Sequence, residues 1–304
     1  MQRTARRLPR LTQARVPLTR EVEVLGENGE RRRIHIPNER PLTVFVDKRE
    51  LVTLMTLGEA PEALVLGYLR NQRLVATVDE VESITVDWDV SAAAVKTRDG
   101  IRALEQKTAH RVVTTGCGQG TVFGDLMAQV DAVRLPGVAE ARIRQSTLHA
   151  LLEVMRQRDS IHRLAGSVHG CALFRHAELL MVVEDVGRHN AIDTIAGWMW
   201  MQAGAQPLGG ADKIFYTTGR LTSEMVMKAA QMDVPIIVSR NGVTQMGHEM
   251  ARRLGMTLFG RAANRHFICY TGFERFDLEL PSTVNAVSPT RGDKGNPDGP
   301  FPKS

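Results

Sequence analysis

The sequence predicts an α/β fold in which a layered α/β domain follows a smaller α+β domain. Two observations carry this prediction. In the second half, short apolar runs alternate with helical segments, a rhythm typical of largely parallel sheets with helices on both faces. These runs are continuous rather than alternating, as expected for strands buried on both sides. In the first half, short strand-like runs surround a single predicted helix.

The first half contains three predicted strands and one predicted helix. Residues 43–46 and 53–55 are predicted strands on either side of a turn at Asp47 and Lys48. Residues 83–88 alternate between apolar and polar side chains and indicate another strand. Pro61 is predicted to begin a helix that runs to residue 70, since proline is favoured in the first helical turn.

The second half contains four predicted strands, at residues 178–183, 213–218, 235–239 and 256–259. Three predicted helices connect them, at residues 190–201, 222–232 and 244–254. Gly255 follows the last helix, where glycine commonly ends helices in the left-handed conformation. Composition then divides the chain into a basic disordered arm (1–15), the α+β domain (16–112), an interdomain loop (113–140), the layered α/β domain (141–276) and a disordered tail (277–304).

Composition excludes several classes of protein. The chain has 304 residues, 43% of them hydrophobic, and a net charge of +5. Its three widely spaced cysteines suggest neither a disulfide framework nor a metal site, which favours a reducing compartment and a cytoplasmic protein. No apolar run has the ~18 residues that a membrane span needs, so we expect no membrane partner. The arginine-rich start lacks interleaved aromatic residues, so we expect a solvated arm and no nucleic-acid partner.

Cys117 is the candidate nucleophile. It lies in a run that contains Gly116, Gly118 and Gly120. Glycine permits backbone conformations that other residues avoid, so a thiol on such a loop can move and meet a large partner. The alternative is a small apolar residue in a turn, because free cysteine often behaves as a buried hydrophobe.

Polar residues follow each predicted strand of the second half at its carboxyl end, where ligands bind in open α/β sheets. Each end supplies an arginine beside a glycine, and arginine forks match phosphate oxygens. The pattern predicts a cleft for a multiply phosphorylated ligand. The candidate residues are Asp185, Arg188 and His189 after the first strand, then Arg220, Arg240 and Arg261.

These residues also have purely structural interpretations. Asp185 would cap the following helix, Arg188 would pair with Glu184, and His189 would be a hydrogen-bonded residue near a helix start. His169 and Cys171 raise the question of a metal site or a Cys–His pair. Zinc requires three or four ligands, which favours Cys171 as a core residue.

Four ordered segments carry a resemblance to a known family. Residues 183–193, 219–226 and 235–240, together with the short block 169–173, resemble the formate dehydrogenase accessory sulfurtransferases, the FdhD family. The resemblance extends over about residues 38–274. It implies a cytidine-deaminase-like fold without zinc ligands in the second domain and no metal of the protein's own.

The resemblance also implies a function. Family members carry sulfur as a persulfide from a cysteine desulfurase to the molybdenum cofactor, bis-molybdopterin guanine dinucleotide, which is then inserted into the formate dehydrogenase apoenzyme. A homodimer is among the assemblies compatible with this role. The family's cofactor-contact segment corresponds to Phe259, Gly260, Arg261, Ala262, Ala263 and Asn264.

The sequence departs from the family at one informative position. The family's sulfur-carrying motif is usually C-x-x-C, whereas here Cys117 is followed by Gly120 at the second cysteine position. The family's persulfide carrier is the first cysteine, so Cys117 is expected to act alone. Two alternatives remain: a chaperone that delivers the molybdenum cofactor without sulfur chemistry, and a deaminase-like hydrolase, which the missing zinc ligands disfavour.

Overall fold

Two β-sheets organise the chain in the computed structural model, which describes residues 7–101, 112–113, 120–121, 133–202 and 208–279. Among the described residues, the first half forms one α-helix and nine strands: β1 (Arg10–Leu11), β2 (Thr19–Leu25), β3 (Arg31–Pro37), β4 (Arg40–Val46), β5 (Arg49–Thr56), α1 (Pro61–Asn71), β6 (Val81–Asp87), β7 (Ala92–Thr97), β8 (Val112–Val113) and β9 (Gly120–Thr121).

The second half forms eight strands and five helices in the described residues: β10 (Ile143–Arg144), α2 (Gln145–Gln157), α3 (Ile161–Ala165), β11 (His169–Arg175), β12 (Glu178–Asp185), α4 (Arg188–Met201), β13 (Lys213–Thr217), α5 (Ser223–Gln231), β14 (Ile236–Ser239), α6 (Gln245–Leu254), β15 (Thr257–Ala263), β16 (His266–Thr271) and β17 (Phe276–Asp277). The mixed α/β class predicted from the sequence is confirmed.

The first sheet has five strands in the order β1-β6-β7-β4-β5. A two-residue turn joins β4 to β5, and Asp47 and Lys48 adopt positive φ angles of 47° and 71° there. Such turns match the twist of paired strands. Helix α1 begins with Pro61 and buries Leu64 and Leu69 against this sheet. The predicted turn, its flanking strands and the helix are therefore confirmed.

The second sheet has six strands in the order β12-β11-β13-β14-β15-β16. Strands β13, β14 and β15 are parallel, whereas β11 and β16 run antiparallel to their neighbours. The prediction of a largely parallel sheet is therefore correct for β13, β14 and β15, and wrong for the pairs β12–β11, β11–β13 and β15–β16. Only two residues connect β11 to β12, and two connect β15 to β16. Connections this short permit only antiparallel pairing.

Both faces of the second sheet are covered. Helices α4, α5 and α6 pack on one face around Leu173, Phe215 and Ile237. Helix α2 packs on the other face, where Phe174, Val238 and Phe259 are buried. We call these the α4 face and the α2 face. Gly255 ends α6 with a φ of 64°, which confirms the predicted left-handed cap.

Two glycines bring the backbones of α1 and α4 into contact. A Cβ atom on Gly67 would lie 1.6 Å from the carbonyl oxygen of Asp193, and one on Gly197 would lie 1.9 Å from that of Ala63. Only hydrogen fits at either position. This crossing joins the helix of the first sheet to a helix of the second.

The structure differs from the predicted domain boundaries at two places. Arg10 and Leu11 pair in parallel with β6, so the predicted disordered arm is wrong at these residues; Leu11 packs against the first core and thereby orders the strand. Strand β17 pairs with β10, and Glu279 accepts a hydrogen bond of 2.7 Å from the Ser146 amide, so residues 277–279 are not part of a disordered tail. The remaining domain boundaries stay predictions.

Strands β2 and β3 form a separate antiparallel hairpin that sequence analysis did not identify. Its arginines belong to the basic run noted in the sequence. Arg31 and Arg33 lie 2.7 and 3.1 Å from Glu23 and Glu21 across the hairpin. Exposed pairs of this kind contribute little to stability. None of the helices in the described part of the chain combines the length and hydropathy that crossing a membrane requires.

Replacing Gly67 with alanine should destabilise the protein by about 2 kcal/mol, because the added methyl group forces α1 and α4 apart. The gain in helix propensity from the same change, ~1 kcal/mol, is too small to offset this. Urea denaturation measures the difference. Gly209→Ala is the control, because a Cβ atom there meets nothing within 4 Å. Equal stability of Gly67→Ala and the wild type would contradict the close crossing.

Candidate functional site

The carboxyl ends of β12, β13, β14 and β15 meet at one edge of the second sheet. Strand β11 runs the opposite way, so its first residues reach the same edge, where His169 pairs with Asp185 and Cys171 with Thr217. Thr217 in turn lies beside Ser239 at the end of β14. The predicted strand ends are therefore neighbours in space.

A pocket of about 340 Å³ opens at this edge, on the α2 face. The sheet contributes its floor, and the segment from the end of α2 through α3 contributes one wall. Floor residues include Tyr216, Thr218, Arg240 and Ala262, with Ala263 and Asn264 beside them. Thr218 Oγ1 accepts a hydrogen bond of 3.0 Å from the Gly170 amide, which fixes this side chain at the strand end.

The pocket is strongly cationic. Arg156, Arg158, His162 and Arg163 line its wall and Arg240 its floor, although Arg156 is paired with Glu153. Among the described residues that line the pocket, Glu184 is the one acid. Its two carboxylate oxygens accept hydrogen bonds from the amides of Ile161 (2.6 Å) and His162 (3.2 Å) at the start of α3, so its charge is already engaged. The geometry favours an anionic ligand.

A second acidic residue, Glu59, contacts the end of β12. Glu59 Oε2 accepts a hydrogen bond of 3.0 Å from the Glu184 amide. Burial raises the pKa of Glu59, with Glu184 and Asp185 acting in the same direction. The segment between β5 and α1 thereby positions one edge of the pocket.

Asp185 lies on the α4 face, because successive side chains of a strand point to opposite sides. Its carboxylate accepts four hydrogen bonds: from Thr56 Oγ1 (2.5 Å), from the amides of Leu57 (3.2 Å) and Gly187 (3.0 Å), and from Asn190 Nδ2 (2.9 Å). Burial raises the pKa of Asp185, while these hydrogen bonds act to lower it. Asp185 therefore connects the start of α4 with the end of β5 in the first sheet.

A buried charge network continues along α4 and α5. Lys228 Nζ lies 2.7 Å from Asp193 Oδ2 and 3.8 Å from Glu224 Oε1. His189 Nε2 lies 3.1 Å from Glu224 Oε2, without the alignment of a hydrogen bond. Asn71 of α1 donates to Asp193 Oδ1 at 2.7 Å. The network fastens α4 to both α5 and α1.

The structure divides the predicted site residues between the two faces. Arg240, Ala262, Ala263 and Asn264 line the pocket, whereas Arg220 and Arg261 are exposed outside its lining. Phe259 and Gly260 are buried in β15, and Asp185, Arg188 and His189 are buried on the other side of the sheet. Cys117 lies outside the described residues.

The predicted core role of Cys171 is confirmed. The residue is fully buried, and burial raises the pKa of its thiol to about 12. His169 is half-buried, and burial together with the charge of Arg188 lowers its pKa. Within the described residues, no three His, Cys, Asp or Glu side chains converge closely enough to hold a metal ion.

Sequence analysis missed the wall of the pocket. Helix α2 was not predicted, although Leu148, Leu151, Leu152 and Met155 recur at helical spacing and could have indicated it. Arg158 and Arg163 follow that helix directly. Arg158 and Arg163 do not follow a strand, so the strand-end pattern could not indicate them.

Comparisons with known proteins support these observations. The model of the FdhD/NarQ family matches residues 37–277. The chain is 31% identical to sulfur carrier protein FdhD of Bacillus subtilis over 238 residues, 78% of this chain and 88% of that protein. It is 29% identical to sulfur carrier protein FdhD of Bacillus licheniformis over 254 residues, 83% of this chain and 94% of that protein.

The fold also has a solved counterpart. A crystal structure assigned as a formate dehydrogenase accessory protein from Desulfotalea psychrophila matches with a TM-score of 0.67 and 23% identity, covering 86% of this chain and 100% of that one. Fold and site together define a mixed α/β protein with a cationic pocket at its strand ends. The chain belongs to the FdhD/NarQ family.

His189 should make stability depend on pH. Burial lowers its pKa from 6.5 to about 3, with Lys228 and Arg188 adding to the effect against Glu224. Between these values the unfolded chain binds a proton that the folded chain excludes, so stability falls as pH drops through this range. The slope from one such group reaches ~1.4 kcal/mol per pH unit.

Urea denaturation at pH 7 and pH 5 tests this expectation. His189→Gln should show a shallower loss of stability on acidification than the wild type. His266→Gln, at an exposed position, should lose stability as the wild type does. Identical pH dependence in His189→Gln and the wild type would exclude a buried neutral histidine.

Proposed function

We propose that this protein is a sulfur carrier that matures formate dehydrogenase in the cytoplasm. In this role Cys117 receives sulfur as a persulfide from a cysteine desulfurase. The sulfur then passes to the molybdenum cofactor, which is the cargo and is afterwards inserted into the formate dehydrogenase apoenzyme. Family membership carries the proposal, since the curated relatives described above are named sulfur carrier proteins.

The cationic pocket supports the choice of cargo. Bis-molybdopterin guanine dinucleotide carries phosphates, and the guanidinium groups of Arg158, Arg163 and Arg240 suit phosphate oxygens. A volume of about 340 Å³ is near the lower end for ligand pockets. It is suited to one nucleotide end of the cargo rather than to the whole molecule.

The chemistry at Cys117 is thiol exchange. The thiolate attacks the terminal sulfur of the desulfurase persulfide, the donor's S–S bond breaks, and the donor cysteine leaves as a thiolate. A new S–S bond then holds the sulfur on Cys117. When the acceptor takes this terminal sulfur, the acceptor supplies the electron pair of the new bond, the S–S bond breaks, and Cys117 keeps the electron pair of that bond as a thiolate. Positive charge near a cysteine favours the thiolate form, which is the form that begins this sequence of steps.

The pocket residues supply binding and orientation. In the proposed complex, Arg240 holds a phosphate at the floor while Arg158 and Arg163 neutralise further charge at the wall. Asn264 offers an amide, whose donor and acceptor can both recognise the edge of a base. Fixing the cargo in one orientation turns sulfur delivery into an effectively intramolecular step.

One observation favours a second candidate, a chaperone that delivers the cofactor without sulfur transfer. Gly120 stands where a second cysteine is usual in the family, and it pairs with Val113 between strands β8 and β9. A single thiol cannot form an internal disulfide during the relay. The two candidates differ in whether Cys117 carries sulfane sulfur.

Replacing Cys117 with alanine should abolish sulfur loading. The protein is incubated with a cysteine desulfurase and cysteine, and mass spectrometry then detects a gain of one sulfur atom. Cys269→Ala is the matched control, because burial raises the pKa of that thiol to about 11 and leaves it unreactive. Wild type and Cys269→Ala should load sulfur, and Cys117→Ala should not.

Two outcomes would overturn the carrier proposal. If Cys117→Ala loads sulfur as the wild type does, Cys117 is not the acceptor. If the wild type never loads sulfur and Cys117→Ala still supports formate dehydrogenase maturation, the chaperone alternative holds.

A further inference from the structure

The helices α4 and α5 begin side by side beneath the strand-end edge, on the α4 face. His189 is the second residue of α4 and Glu224 the second of α5, and their side chains approach to 3.1 Å. The first amides of a helix have no partner within the helix, and the helix dipole places positive potential there. Two such ends directed at one place favour a bound negative charge.

An unpaired guanidinium lies at the same place. Arg188 is the first residue of α4, and only 4% of its surface is exposed. It makes no ion pair or side-chain hydrogen bond with any described residue, and its buried Nε lacks a partner. Burying a cation without a counter-charge is strongly unfavourable. Two buried acids at these helix starts have other contacts: Asp185 accepts four hydrogen bonds, and Glu224 lies 3.8 Å from Lys228.

A second polar atom without a partner in the described residues lies at the start of α5. Thr222 occupies the N-cap position of α5, yet its side chain does not cap the helix, and its Oγ1 is buried without a partner. The turn that leads into α5 lies against Arg188: a Cβ atom on Gly219 would be 2.7 Å from Arg188 Cδ. The Arg188 side chain therefore meets the turn before α5, three residues ahead of Thr222, where the two helices begin.

We propose that the junction of α4 and α5 binds one small monovalent anion, with Arg188 as its counter-charge and Thr222 as a hydroxyl donor. A single small anion would accept hydrogen bonds from both Arg188 Nε and the Thr222 hydroxyl, two atoms left without a partner among the described residues. A phosphate-bearing ligand would bring more charge than this junction neutralises, and it is suited instead to the pocket on the α2 face. The inference goes beyond the proposed function and does not depend on Cys117. Halides and hydrosulfide both have the required chemistry.

The test compares anions at constant ionic strength. The melting temperature of the full chain is measured with rising bromide or hydrosulfide against gluconate, an anion too large for the junction. Bromide and hydrosulfide should stabilise the wild type with saturation, and gluconate should not. Crystals soaked in bromide should show an anomalous peak beside Arg188.

Two variants locate the effect. Gly219→Ala preserves every charge but displaces the Arg188 side chain, and it should weaken bromide binding about tenfold, equivalent to ~1.4 kcal/mol. Gly242→Ala is the control, because a Cβ atom there meets nothing within 4 Å. Thr222→Val keeps the shape of the side chain and removes the hydroxyl, so it should also weaken the bromide response. If Gly219→Ala does not fold, Thr222→Val alone tests the junction.

The proposal fails if bromide and gluconate give the wild type the same melting temperature. It also fails if Thr222→Val retains the full bromide response, since an unpaired hydroxyl would then have no ligand. An anomalous peak only at surface sites would also exclude the junction.

Discussion

The carboxylate of Asp185 is the interaction on which the arrangement of the two sheets depends. Asp185 is the last residue of β12 in the second sheet. Its carboxylate accepts hydrogen bonds from Thr56 and Leu57 at the end of β5 in the first sheet. It also binds the Gly187 amide and the Asn190 side chain at the start of α4. Four donors offset the free energy of burying this group, and removing them would leave a buried charge unsatisfied.

The close crossing of α1 and α4 is the second contact that fixes the arrangement of the two sheets. With β12 fixed by Asp185, α4 can lie against α1 only because Gly67 and Gly197 leave room for the two backbones. The edge of the pocket depends on the same assembly, since Glu59 of the first half accepts a hydrogen bond from the Glu184 amide. The ligand pocket is therefore built from the second sheet but supported by the first.

Local signals in the sequence predicted much of the fold, whereas the division of the site did not follow from them. The Asp47-Lys48 turn, the proline at the start of α1 and the glycine after α6 each act over a few residues, and each was predicted correctly. The face of the sheet on which each strand residue lies was not predicted. Glu184 and Asp185 are adjacent in sequence, yet one faces the pocket and the other the α4 face, because side chains alternate along a strand.

The same alternation explains why the predicted arginines do not form a single cleft. Arg240 lies in the pocket, and Arg188 lies at the start of a helix on the opposite face. The wall cations Arg158 and Arg163 come from outside the strands, where no strand-end pattern could indicate them. Their position depends on α2 packing against the sheet, which is a tertiary contact rather than a local propensity.

The central claim is that the pocket on the α2 face binds a phosphate-bearing ligand. Isothermal titration with guanosine diphosphate and with guanosine tests it most directly. The account predicts that guanosine diphosphate binds far more tightly than guanosine, and that Arg240→Gln weakens its binding about tenfold, or ~1.4 kcal/mol. Arg32→Gln on the exposed hairpin should leave binding unchanged. Equal binding of the two ligands, or equal weakening by the two variants, would contradict the account.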